Sequence, residues 1–260
     1  MFFLRGSISS AQAQGPRRYQ EDYLVCLSSA GKKSGRSHLL GILDGHGGKE
    51  VARYCAETLP QLFDPAAEDP EQELKNVVGE LADYTDLSKA GSTLSLAFVD
   101  ESRGIVTTAV LGDSPIIVIT RDGTIERSEE HNVRTNEAER EAAVRRGAIY
   151  LDNGYIVADR YGDGLQLSRA LGDCNLKTVL DRTPVIRSYR IGFNGLVLIA
   201  SDGLFDPNHN DSSDEDLEAF VVIAQDGGDA ADILRYREEQ GLEDNTSIIL
   251  WKPKKWWGWF

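Results

Sequence analysis

Apolar residues along the chain fall into two patterns. Short, nearly continuous runs at 23–27, 39–43, 93–99, 105–111, 116–120, 196–200 and 247–251 are bounded by glycine and polar positions, which predicts strands. The run Ile116-Ile117-Val118-Ile119 has no polar face, so its strand should be covered on both sides. Other segments have helical spacing. Val51, Cys55, Leu59 and Leu62 share one face, with Pro60 ending or kinking that helix. Asn136 and Glu139 have the form of a capping box before a run that stops at Gly147. Leu217, Phe220, Val221 and Ala224 fall at i, i+3, i+4 and i+7, and a last helix is predicted from an Asp229 cap to Gly241. The polar stretch 207–216 predicts a loop. Strands outnumber helices, and tight turns such as Arg121-Asp122-Gly123 join them. Antiparallel sheets with helices on their outer faces, a layered α+β body, are therefore expected.

Composition narrows the function classes. With 260 residues, 41% of them hydrophobic, a single globular domain with a sizeable core is expected. The net charge of −14 argues against nucleic-acid binding, since little here would neutralise a phosphate backbone. Cys26, Cys55 and Cys174 are sparse and lack CxxC spacing, so neither a disulfide framework nor a zinc knuckle is predicted. Cys26 and Cys55 are expected to be reduced packing residues of a cytoplasmic protein. No apolar stretch approaches 18 residues, so no transmembrane helix is expected. The tail at 253–260 carries Trp256, Trp257, Trp259 and Phe260 among basic residues, and packing or partner docking is its expected use.

The acids change the picture most. Asp44, Asp113 and Asp202 each stand at the end of an apolar run. Glu21 and Asp22 begin one, and Asp244 stands just before another. Antiparallel neighbours bring strand starts and ends to the same edge, so six acids are expected at one rim. Glycines beside them, Gly45, Gly47, Gly48, Gly112 and Gly203, permit tight turns and close approach of backbone carbonyls. Carboxylates so crowded repel one another, and divalent ions relieve this. A pair of such ions is an established hydrolytic device. Each fragment alone is weak, because an isolated Asp-Gly after a strand is most often a turn; the specificity lies in the ordered set.

That set resembles the type-2C, metal-dependent protein phosphatase family from about residue 15 to 251. Seven blocks match in order: Arg17-Arg18-Tyr19-Gln20-Glu21-Asp22, Leu43-Asp44-Gly45-His46-Gly47-Gly48, Ala90-Gly91-Ser92-Thr93, Gly112-Asp113-Ser114, Ser168-Arg169-Ala170-Leu171-Gly172-Asp173, Ala200-Ser201-Asp202-Gly203-Leu204-Phe205-Asp206 and Asp244-Asn245. The resemblance implies a four-layer α-β-β-α sandwich with two central antiparallel sheets. It implies two Mg²⁺ or Mn²⁺ ions and a weaker third. Asp44 should bridge two ions, the Gly45 carbonyl should ligate one of them, and Asp202 and Asp244 should complete one ion site. Glu21 should serve the other with Asp22 beside it, and Asp113 with Asp202 matches the third. Arg17, rather than Arg18, occupies the phosphate-binding position, and His46 matches the proposed general acid. The implied reaction is direct attack of metal-activated water on phosphoserine or phosphothreonine in a phosphoprotein, by a monomer of one catalytic domain (about 15–252). No arginine stands six residues after any cysteine, so cysteine-based phosphatase chemistry is disfavoured.

Departures from the pattern are local. Pro115 replaces the usual arginine after Gly-Asp-Ser, and Asn132-Val133 replaces the usual lysine-proline after His131. Tuning of the third ion site or of sheet packing is expected from Pro115. Residues 148–166 correspond to the family's flap, on which substrate choice should depend. A silent member acting as a partner-binding module would be marked by loss of Asp44, Asp202 or Asp244, and none is lost. A hydrolase of small phosphate esters would share the ion site and differ in the flap.

Overall fold

A computed structural model describes residues 4–31, 35–160, 162–205 and 214–254. Most of the loop expected at 207–216, Asp206, and the tail aromatics Trp256, Trp257, Trp259 and Phe260 lie outside the described residues.

Two five-stranded antiparallel sheets stack face to face. One has the order β1 (Gly6–Ala13), β15 (Thr246–Pro253), β14 (Leu196–Ala200), β8 (Ile116–Ile119), β9 (Ile125–Arg127). The other runs β13 (Val185–Arg190), β7 (Ile105–Leu111), β6 (Leu94–Asp100), β3 (Gly35–Leu43), β2 (Tyr23–Gly31). Alternate residues of one strand serve different cores. Ile116 and Val118 meet Leu40, Ile42, Val197 and Ile249 between the sheets. Ile117 and Ile119 face outward to a cluster with Phe220, Val221 and Ile233 from α5 (Asp214–Gln225) and α6 (Ala230–Gln240). This explains the unbroken apolar run: both faces are buried. On the far side, Leu39, Leu43, Leu94 and Leu96 pack against α1 (Glu50–Leu62) and α2 (Pro70–Thr85). The four-layer sandwich is thus the observed architecture.

Smaller elements carry the site. Three two-residue strands, β4 (Gly45–His46), β5 (Gly91–Ser92) and β12 (Leu171–Gly172), pair in the order β12-β5-β4. The flap holds the hairpin β10 (Ile149–Tyr150) and β11 (Ile156–Val157), next to α3 (Glu137–Arg145), over a core of Val133, Ala143, Ile156, Leu167 and Leu176.

Two expectations need correction. Cys26 is exposed, because it lies on β2, the outer strand of its sheet; only Cys55 is a buried packing thiol. The Asn136–Glu139 capping box is half formed. Asn136 Oδ1 accepts from the Glu139 N–H at 3.2 Å, but the Glu139 carboxylate turns away to Arg169 and Ser168. A partly buried arginine is a stronger competitor for a carboxylate than a helix-end N–H. The reciprocal box forms instead on α6, between Asp229 and Asp232.

Candidate active site

One cavity of about 620 Å³ opens where β3, β7 and β14 end and β15 begins. Its walls carry Glu21, Asp44, Asp113, Asp202 and Asp244 together with Arg17, His46 and the Gly45 backbone. Asp22, the sixth expected acid, lies beneath the wall, 3% exposed, and its Oδ2 accepts from Ser247 Oγ at 2.6 Å. Every site residue named from the sequence therefore comes to one place.

Local structure sets each position. Asp44 follows β3 and is pinned to Thr93: the Thr93 N–H donates to its carbonyl at 2.9 Å, and its own N–H donates to Thr93 Oγ1 at 3.2 Å. Asp202 opens α4 (Asp202–Phe205) directly after β14 and Ser201. Ser201 Oγ accepts from the Ser247 N–H at 2.9 Å, which ties that turn to the start of β15. Asn245 anchors the loop that bears Arg17. Its Oδ1 accepts from the Glu21 N–H at 2.8 Å, and its Nδ2 donates to the carbonyls of Gln14 at 2.8 Å and Tyr19 at 3.1 Å. Gly15 sits at φ +61 on this loop, where a Cβ would strike the Asp244 carbonyl. Arg17 then reaches Asp244, whereas Arg18 lies over the Tyr19 ring at 5.1 Å. Asn245 is buried beside the candidate ligand Asp244, a placement that the Asp-Asn dipeptide alone does not signal.

Electrostatics follow from crowding. Seven acidic side chains (Glu21, Asp44, Asp113, Asp163, Asp173, Asp202, Asp244) line the cavity against two basic ones, Arg17 and Lys89. Burial first, and then the charges of Asp22, Asp202, Asp113 and Asp244, push the Asp44 carboxyl well above the usual carboxylate range. Burial likewise raises Asp113 to about 8, with Asp202 adding to it. Asp22 rises to about 6, again chiefly through burial. Among the described residues, no three acidic, histidine or cysteine side chains form a ready-made ion cage. The carboxylates turn to protein donors instead: Asp244 to Arg17, Asp22 to Ser247, and Asp113 Oδ2 to Asn132 Nδ2 at 3.0 Å. The donor set still fits hard divalent cations. It is all oxygen, its negative charge outweighs the nearby cations, and Asp22 Oδ1 is buried with no hydrogen-bond partner.

The departures from the pattern also find their places. Asn132, where a lysine was expected, is the donor to Asp113. Pro115 is buried, and its carbonyl accepts from the Ala200 N–H at 3.1 Å, which joins the Asp113 turn to β14. Tyr155, Asp163, Gly164, Leu165 and Gln166 bring the flap to the cavity wall, and Leu167 follows them there. Asp173, which sequence reasoning left without a task, accepts a 2.8 Å hydrogen bond from His46 Nε2.

A family model described as Protein phosphatase 2C matches residues 7–227. The chain belongs to the protein phosphatase 2C family. Members of this family are metal-dependent protein serine/threonine phosphatases. Protein phosphatase 2C homolog 1 of Schizosaccharomyces pombe is 29% identical over 222 residues, which cover 79% of this chain and 60% of that protein. The chain spans between 45% and 60% of the length of this and the next three curated relatives. Among solved structures, serine-threonine phosphatase 2C from Toxoplasma gondii superposes with a TM-score of 0.74 at 20% identity, covering 98% of this chain and 96% of that one. The catalytic domain of the serine/threonine protein phosphatase PstP, solved with two manganese ions, gives a TM-score of 0.61 at 20% identity, covering 95% of this chain and 98% of that one. At these identities the two structures attest the phosphatase 2C fold. No helix among the described residues is long and apolar enough to cross a membrane.

Proposed function

We propose that this phosphatase 2C chain hydrolyses phosphoserine and phosphothreonine esters of proteins by direct attack of water. The observation that carries this reading is that Glu21, Asp44, Asp113, Asp202 and Asp244 line one cavity with Arg17 and His46, with Asp22 buried beneath its wall. Asp44, the Gly45 carbonyl, Asp202 and Asp244, with Glu21 and Asp22, would hold two Mg²⁺ or Mn²⁺ ions, and Asp113 with Asp202 a weaker third. When bound, such ions lower the pKa of a coordinated water and offset the charge on the phosphoryl oxygens. Ligand type does not choose between Mg²⁺ and Mn²⁺, since both suit oxygen-rich octahedral sites.

The chain's own groups do the rest. Arg17 presents a planar guanidinium that can grip two phosphate oxygens; its present partner, Asp244, marks where that grip must loosen when an anion or an ion arrives. His46, half-buried in the wall, donates a proton to the departing seryl or threonyl oxygen. Tyr155, Leu165 and Leu167 give the flap side an apolar surface on which a peptide segment can lie. We take residues 15–252 as one catalytic domain.

The test is release of phosphate from a phosphothreonine peptide by purified chain with Mg²⁺ or Mn²⁺. Turnover is expected, and it should vanish in EDTA and in Asp202→Asn. A folded protein that stays inert with both ions would overturn the assignment and leave the partner-binding reading.

A further inference from the structure

His46 and Asp173 are 127 positions apart, yet the fold spends several unusual features on bringing them together. The three-stranded β12-β5-β4 sheet places Gly45–His46 and Leu171–Gly172 on either side of Gly91–Ser92. Gly91, in the middle, leaves room for the pair: a Cβ there would run into both Asp173 Oδ2 and His46 Nε2, and the two side chains would have to part. Asp173 is the one non-glycine residue with positive φ among the described residues, at +51. Such backbone is strained for a residue with a side chain and persists where surrounding contacts over-determine it. Those contacts are present. The Asp173 N–H donates to the Ala90 carbonyl at 3.1 Å, and the Arg182 guanidinium binds the carbonyls of Ala170 and Gly172 just before it.

We propose that Asp173 is a positioning residue for His46, holding the ring by Nε2 so that Nδ1 delivers the catalytic proton. This rests on the phosphatase reading above. A carboxylate can only accept, so the shared hydrogen sits on Nε2. Nδ1 of His46 makes no hydrogen bond among the described residues, and the ring lines the cavity. In the reaction, water forms the new O–P bond as the ester P–O bond breaks. The electron pair of the broken bond goes to the leaving oxygen, which takes the Nδ1 proton of the imidazolium. The proton lost by the attacking water passes to solvent, from which the neutral Nε2–H ring recharges. A partner on Nε2 thereby fixes both tautomer and aim, as the acid does for histidine in hydrolytic triads.

The experiment has two arms. In the first, long-range ¹H–¹⁵N spectra of the ion-free chain at a pH where the ring is neutral, with His46 assigned through His46→Gln, report the tautomer without needing turnover. The Nε2–H form is expected in the unsubstituted chain and a tautomer mixture in Asp173→Gly, a variant whose left-handed backbone suits glycine. The Nδ1–H form in the unsubstituted chain, or no change in Asp173→Gly, would overturn the proposal.

In the second arm, kcat/KM is measured with Mn²⁺ on an alkyl and an aryl phosphate. Asp173→Gly should lose about 10- to 100-fold more on the alkyl ester, which needs the acid, than on the aryl ester. It should add nothing on a His46→Ala background, Asp173→Asn should recover part of the loss, and Gly91→Ala should mimic Asp173→Gly. Equal losses on both esters, or additive losses with His46→Ala, would show that Asp173 only supports the fold. Absence of turnover from the unsubstituted chain would instead remove the phosphatase reading, and the acid role with it, while the spectra still decide the pairing.

Discussion

Asp44 shows at the scale of one residue how function is stored as instability. Its carboxyl is forced upward by burial and by four neighbouring acids, so the folded chain gains nothing from its charge until a cation arrives. Asp44→Ala should lower phosphopeptide kcat/KM by at least about 10²-fold, the scale on which a single charge-stabilising group acts in hydrolysis. The same variant should melt no lower than the unsubstituted chain in EDTA, because it removes a repelled group rather than a bonded one. A lower Tm would mean that Asp44 is a structural acid. Asp44, Asp113, Asp202, Asp244 and Glu21 were legible in the sequence because each flanks an apolar run, and a strand end is where a rim lies. Asp173 was not legible in that way. Its task depends on a partner 127 positions away, and no local spacing encodes such a pairing.

At the scale of elements, the strands that carry the acids are joined at a second point by a buried staple. Glu101, 1% exposed at the β6–β7 turn, accepts from the Gly6 N–H at 2.7 Å and from Trp251 Nε1 at 3.2 Å, with His38 Nε2 at 3.0 Å. One carboxylate thus links β1 and β15 of one sheet to β3 of the other. Burial opposes its charge, but these donors and the His38 ring win, and its pKa lies below the ordinary value. Glu101→Ala should cost about 3 kcal/mol, since it strands three buried donors. A shift in urea midpoint worth less than about 1 kcal/mol, at an unchanged m-value, would contradict this.

Element by element, legibility followed burial. Runs covered on both faces, such as β8 and β14, were plain. β1 and β13 were missed, because GSISSAQA and VIRSYR mix polar residues into strands that each lie at an edge of their sheet. The helix α2 was missed although Asp69, accepting from two backbone N–H groups, stands before Pro70 as a start signal. β4, β5 and β12, two residues each, carry too little periodicity to register, yet they build the His46 pocket.

For the whole molecule, the acids of the cavity and His131 pull stability in opposite directions with pH. Asp113 at about 8 and Asp22 at about 6 bind protons in the folded state that the unfolded chain, near 3.8, has released. Between those values the folded state holds more protons, so ion-free stability falls as pH rises, by up to ~1.4 kcal/mol per pH unit for each proton. His131 is buried and, with Arg169 adding, lowered to about 4 from 6.5. Its contribution is present above pH 6.5 and is lost as pH falls toward 4. Ion-free Tm should therefore decline from pH 6.5 to 8.5, where the acids act alone. The net charge of −14 does not produce this slope, because exposed carboxylates are already ionised throughout that range. Saturating Mn²⁺ should raise Tm and do so most at pH 8.5, where fewer protons have to be displaced from the carboxylates than at pH 6.5. Asp113→Asn should flatten the ion-free slope. A Tm that instead climbs with pH in EDTA would mean that these carboxylates are already satisfied by Arg17, Ser247 and Asn132. The acid cluster would then be an internal salt-bridge and hydrogen-bond network rather than a site waiting for cations.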